Sequence, residues 1–147
     1  MKKKILFSQI CIASDHAGFD LKEKIKDFLI NKDVPVIDLG PSNKNSVDYP
    51  DFAKKVAKRV FFKKSDAGIL VCGSGTGMAM TANKFKGIRA AQCYNKISTI
   101  LARQHNNANI ICLGSRILKN KEAFSFVNFF LSTEFEAGRH KKRISKI

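Results

Sequence analysis

Five short apolar runs, each followed by a helix-like segment, constrain this chain more than any other feature. The runs cover residues 10–13, 36–39, 68–72, 88–93 and 110–113. They are mostly continuous stretches of Ile, Val, Leu, Ala and Cys rather than alternating patterns, which predicts parallel strands buried on both faces. Between the first two runs, Leu21, Ile25, Phe28 and Leu29 recur at helical spacing with charged residues opposite. Pro50 suits the first turn of a second helix carrying Phe52, Val56 and Val60. Residues 78–84 and 97–104 predict two further helices. The last, over roughly 123–131, is apolar almost all round, with Phe124, Phe126, Phe129 and Phe130. Such a helix is expected to be buried on more than one side, which suggests a subunit interface. Strand–helix alternation without a break predicts one doubly wound, three-layer α/β/α domain over residues 1–147, built on a five-stranded parallel sheet.

The bulk properties agree. A chain of 147 residues is long enough for one core and too short for two. No apolar run approaches the roughly 18 residues that a spanning helix needs, so no membrane partner is expected. Lys2, Lys3 and Lys4 before an apolar run imitate a secretory signal. Ser8 and Gln9 interrupt that run, however, and cleavage near Ala13 would remove the first strand, so a signal is not expected. Cys11, Cys72, Cys93 and Cys112 all fall in or at the end of strand-like runs, with no Cys-x-x-Cys spacing. That pattern fits reduced, buried thiols in a cytoplasmic protein rather than disulfides or a zinc site.

The formal net charge is +15, from 27 Lys+Arg against 12 Asp+Glu. Such an excess can signal nucleic-acid binding. Here the lysines are spread over the helical segments with no aromatic-interleaved basic stripe, so solvated faces are expected and no nucleic-acid partner. The exception is the cluster Arg139-His140-Lys141-Lys142-Arg143.

In a doubly wound sheet, ligands bind beyond the carboxyl ends of the strands. Asp15 and His16 follow the first run, Tyr49 closes the loop after the second, and Arg116 follows the fifth. Cys72 ends the third, directly before Gly73-Ser74-Gly75-Thr76-Gly77. Alternating glycines let a backbone turn bring its N–H groups close to an oxyanion, and the helix that follows adds partial positive charge. The turn follows the third strand and lacks Gly-x-Gly-x-x-Gly spacing, which argues against a dinucleotide fingerprint. Cys72 is either the last buried residue of its strand or a thiol activated as base or nucleophile. Asp15 is either a helix cap or a site residue, and His105-Asn106 is open to the same two readings.

Taken in order, Ser14-Asp15-His16-Ala17-Gly18-Phe19, Asp48-Tyr49-Pro50, Cys72 to Gly77, Ala82-Asn83-Lys84, Arg103-Gln104-His105-Asn106 and Gly138-Arg139-His140 resemble the type B ribose-5-phosphate isomerases along essentially the whole chain. Residues before the first strand look like a short N-terminal extension. The resemblance implies interconversion of ribose 5-phosphate and ribulose 5-phosphate, a step of the pentose phosphate pathway, through ring opening and a cis-enediolate. It assigns Cys72 as the base that moves the proton. Other members place a glutamate at the position of Met78, so this chain resembles the cysteine type.

By the same resemblance, Ser74 and the amides of Gly73, Gly75 and Gly77 steady the enediolate oxygen. His105, helped by Asp15, opens the ring. His16, Arg116, Arg139 and Arg143 hold the phosphate, and Tyr49 and Asn106 line the site. No cofactor is implied. No metal is implied either, and the three histidines show no His-x-x-x-His spacing. The expected assembly is a homodimer with shared active sites, or a dimer of such dimers. Allose-6-phosphate or galactose-6-phosphate isomerisation is the nearest alternative. His105 falls after a helix and before a strand, at the opposite sheet edge from Cys72, so sharing between subunits is the expected arrangement.

Overall fold

The computed structural model describes residues 4–147, so Lys2 and Lys3 of the signal-like start lie outside the described residues. Strands β1 (Ile10–Ser14), β2 (Val36–Asp38), β3 (Ala67–Cys72), β4 (Ala90–Gln92) and β5 (Ile110–Gly114) alternate with helices. These are α1 (Phe19–Ile30), α2 (Tyr49–Phe61), α3 (Thr76–Ala82), α4 (Lys96–Gln104), α5 (Asn120–Ser132) and a short α6 (Gly138–Ile144). All strand pairs are parallel, in the order β2-β1-β3-β5-β4.

Successive side chains on a strand point to opposite faces, and the core divides accordingly. Ile10 and Ile12 of β1, Ile69 and Val71 of β3, and Ile111 and Leu113 of β5 face α1, α4 and α5. Cys11 and Ala13, Leu70 and Cys72, and Ile110 and Cys112 face α2 and α3. The three central strands are buried along their whole length. The two outer strands are not: β2 and β4 have three residues each, shorter than their apolar runs, and are partly or well exposed. An edge strand has one neighbour instead of two, so burial on both faces fails there.

Three further packing details add to this picture. The phenylalanines of α5 are used within the chain: Phe124 stacks on Phe28, Phe130 on Phe7, and Lys96 sits over Phe129. Phe126 and Phe130 are buried, whereas Phe124 and Phe129 keep part of their surface exposed. Residues 5–7, before β1, are docked, with the Leu6 N–H donating to the Leu131 carbonyl at 2.8 Å. Lys22, expected on a solvated helix face, is completely buried. Its ammonium donates to both Asp38 carboxylate oxygens, Glu23 Oε1 and the Pro41 carbonyl, all at 2.8–2.9 Å. A buried ammonium needs that many acceptors to offset lost hydration. The network ties α1 to β2 and to the start of the loop leading to Tyr49.

Candidate active site

The turn after β3 is built around its sulfur. Cys72 is the last residue of β3, 5% exposed, and its Sγ accepts the Gly75 N–H at 3.0 Å. Gly75 has φ +82°, in the left-handed region, so an L side chain would be strained there. The hydroxyl of Ser74 is accessible at the rim and accepts the Thr76 N–H at 3.2 Å. Across the turn, Gln92 Nε2 donates to the Ser74 carbonyl and to Thr76 Oγ1, both at 2.9 Å. The loop after β5 closes the other side, with Ser115 and Arg116 N–H groups donating to the carbonyls of Cys72 and Gly73.

An open cavity of about 490 Å³ lies over this turn, lined by Asp15, Tyr49, Cys72, Gly73, Ser74, Gly77 and Arg116, with Thr76, Met80 and Ile117 added. Asp15 is nearly buried and its Oδ1 accepts the Gly18 N–H at 2.9 Å. It therefore shapes the turn into α1 without capping the helix, whose N-cap is Gly18. Tyr49 lies against Gly77 so closely that a Cβ there would sit 2.6 Å from its ring. His16 is exposed beside the site, its Nδ1 3.2 Å from both the Val47 nitrogen and carbonyl oxygen. Met78 is fully buried in the α2–α3 core and does not line the cavity. Two smaller openings near Asn83 and Ile88 lie away from the thiol.

The remaining expected residues gather elsewhere. His105 is the C-cap of α4, at the amino edge of the sheet, and its ring stacks on His140 of α6 with centroids 4.2 Å apart. Asn106 is exposed and lines a different cavity, with Arg89 and Asn83. Arg139 and Arg143 are exposed on α6 beside this pair. Burial holds the His140 imidazole below the usual histidine range, helped by the charges of His105, Arg139 and Arg143 and opposed by Glu136. Sequence spacing did not reveal that His105, Glu136 and His140 bring ligand-capable atoms within 4.8 Å of one another. The two rings are only 14° from parallel, so their in-plane nitrogen lone pairs run side by side and do not converge on one point.

The candidate residues thus fall into two separate groups. Cys72, Ser74, Asp15, Tyr49 and Arg116 occupy the carboxyl edge, whereas His105, Asn106, Arg139 and Arg143 occupy the amino edge. The five residues of β5 that separate the edges span about 16 Å. Thr76, Met80, Ile117 and Gln92 were not anticipated. Thr76 lay inside the glycine motif, and Gln92 ends the one central-to-edge strand to which no site residue had been assigned.

The chain, which sets a thiol and a glycine turn at the carboxyl edge of a parallel α/β sheet, matches the family described as Ribose/Galactose Isomerase over residues 10–147 and belongs to that family. Among individual relatives, it is 41% identical to ribose-5-phosphate isomerase B of Escherichia coli strain K12, covering 95% of this chain and 93% of that protein. A crystal structure of ribose 5-phosphate isomerase RpiB from Thermotoga maritima superposes with a TM-score of 0.93 at 50% identity, covering 95% and 96% of the two chains. Ribose-5-phosphate isomerase B from Mycoplasma genitalium with bound ribulose-5-phosphate superposes with a TM-score of 0.89 at 47% identity, covering 94% and 92%.

Proposed function

We infer that this chain is an aldose–ketose isomerase that interconverts ribose 5-phosphate and ribulose 5-phosphate. The observation that carries this reading is the Cys72 thiol, backed by the Gly75 N–H at 3.0 Å in an open cavity with Ser74 and Asp15, in a chain so similar to proteins of that name.

The chemistry requires the furanose to open before a proton moves. The Cys72 thiolate takes the proton from carbon 2 of the open aldose, leaving a cis-enediolate, and returns it to carbon 1 while the oxygen proton passes between O1 and O2. The Ser74 hydroxyl and the amides of the turn stabilise the oxygen on which charge develops, where fixed donors act without reorganising. Tyr49 lines the sugar site, and His16 and Arg116 hold the phosphate from the same subunit. His105 opens the ring with Asp15, and Asn106, Arg139 and Arg143 complete the site. His105, Asn106, Arg139 and Arg143 lie at the opposite sheet edge, which supports a homodimer whose sites combine Cys72 of one subunit with His105 of the other. Guanidinium forks match phosphate oxygens in geometry and charge. Residues 1–147 act as one catalytic domain. The four unpaired, buried thiols support a reducing compartment, the cytoplasm, as its location.

Purified protein assayed with ribose 5-phosphate, ribulose 5-phosphate, allose 6-phosphate and galactose 6-phosphate in the presence of EDTA tests the assignment. The pentose phosphates are expected to turn over fastest, and a requirement for added metal would overturn it.

A further inference from the structure

The turn that carries His105 and Asn106 is held by two arginines, neither of which meets a carboxylate among the described residues. Arg89, before β4, donates from Nε and Nη2 to the carbonyls of Asn106 and Asn107 at 3.0–3.1 Å, and from Nη1 to Gly87 at 3.3 Å. Arg103 approaches from inside the fold. Its Nη1 donates to Asn107 Oδ1 at 2.9 Å and the Ala108 carbonyl at 2.6 Å, and its Nε to the Thr133 carbonyl at 3.2 Å. Asn107, the residue both arginines grip, has φ +45°, a conformation that costs a non-glycine residue energy.

The cost of this arrangement is what makes it informative. Arg103 is 5% exposed, flanked by the rings of Phe7 and Phe130 at 5.0 and 5.7 Å. Burial and the neighbouring Arg89 charge push its pKa down to about 10, so it remains a cation at neutral pH. A buried guanidinium with only neutral acceptors loses much of its hydration without recovering an ion pair. Neutral amides would tie a surface turn at lower cost, as Asn109 already does at Gly87 and Arg89. Two planar forks instead fix several carbonyls of one turn at set angles, and that turn begins at His105.

We propose that Arg89 and Arg103 are positioning residues for ring opening, clamping the His105–Asn106 turn so that the imidazole projects at a fixed angle into the neighbouring subunit's site. This rests on the reading of His105 given above. It sets these arginines apart from Arg139 and Arg143, which are free to face substrate.

The two half-reactions separate the role from plain stability. A 2-ketopentose whose 5-hydroxyl is phosphorylated cannot close a furanose ring, so deuterium exchange into ribulose 5-phosphate in D₂O reads proton transfer alone. Turnover of ribose 5-phosphate reads ring opening as well. For folded Arg89→Met and Arg103→Lys proteins, ribose 5-phosphate kcat is expected to fall by about 10–100-fold, as for a catalytic group displaced by about 1 Å. Exchange into ribulose 5-phosphate should stay within about threefold of wild type, and Arg89→Lys should recover part of the loss. His105→Asn is the reference and should show the same split. If His105→Asn shows the split and Arg89→Met does not, whether through no loss or equal loss in both assays, the clamp is refuted. If His105→Asn itself shows no split, the ring-opening role and the clamp fall together. Arg89 is partly exposed, so its variants keep the test decisive should Arg103→Lys not fold.

Discussion

The Cys72 sulfur and the Gly75 amide nitrogen are 3.0 Å apart, across a turn whose only route back into α3 passes through the left-handed conformation of Gly75. The backbone N–H is aimed at the sulfur and fixes its position at the edge of the cavity. A residue that ends a buried strand thereby faces both core and cavity.

Replacing Cys72 with alanine should lower kcat by at least about 10³-fold, within the range expected for loss of a general base, while ribose 5-phosphate still binds. Calorimetric titration with the substrate and a kcat measurement check both halves, and retained turnover would remove Cys72 from the chemistry. Burial pushes the thiols of Cys11 and Cys93 up to about 11 and raises that of Cys112 well above its ordinary value. Iodoacetamide near pH 8 should accordingly label Cys72 first, with loss of activity in step and protection by substrate. Peptide mapping that found another cysteine modified first would contradict this.

At Gly77 the constraint is space. A methyl group there would meet the Tyr49 ring at 2.6 Å, and the ring, about two-fifths exposed, is free to swing away. Gly77→Ala should raise KM by about tenfold, equivalent to about 1.4 kcal/mol, with little change in Tm. A large drop in Tm with normal KM would mean that the turn yields instead of the tyrosine.

The Lys22 network gives an acid signature. Its hydrogen bond and that of Lys26 hold the Glu23 carboxyl below its ordinary 4.5. Burial alone would raise Asp38, but the bonds from Lys22, Lys26 and the Gly40 N–H prevail and hold it below its ordinary 3.8. Carboxyls lowered in the folded state stabilise it fully above their unfolded values, and that contribution drains away as pH falls through the folded ones. Lys22→Met should cost about 2–3 kcal/mol at pH 7, below the 3–5 typical of a broken buried pair because Lys26 still neutralises Asp38. That corresponds to a Tm lower by about 5–10 °C. The gap between variant and wild type should be constant from pH 7 to 5 and shrink below about 4.5. A gap unchanged down to pH 3 would disprove the linkage.

The proposed sharing of the site between subunits predicts complementation. Cys72→Ala and His105→Ala subunits, each inactive, should regain activity when mixed, because one site of each mixed dimer contains both wild-type residues. Random exchange of equal amounts gives about half of the dimers mixed, with one intact site each. Activity near a quarter of wild type is therefore expected. Mass spectrometry verifies exchange, and no recovery after confirmed exchange would rule out sharing.

How much of this was legible in the sequence follows from where each signal is stored. Strands β1, β3 and β5 could be read because burial on both faces demands unbroken apolar runs, and Cys72 with its glycines could be placed because turn chemistry is local. The edge strands were overestimated, since an apolar run does not say how many neighbours a strand has. Lys22 read as solvated because helical periodicity reports a face and cannot report the carboxylates that Asp38 brings to it from β2. The phenylalanines of α5 read as a face buried on more than one side, but no local signal said that Phe124 meets Phe28 and Phe130 meets Phe7, both distant in sequence. The stacking of His105 on His140, and the grip of Arg89 and Arg103 on Asn107, depend on strand order and on where α6 returns. Local propensity and hydrophobic period determined the central elements and the glycine turn. Only the packing of the sheet decided which distant charges and rings meet, because pairing between remote segments is set by the free energy of the whole fold and leaves no periodic trace in any one of them.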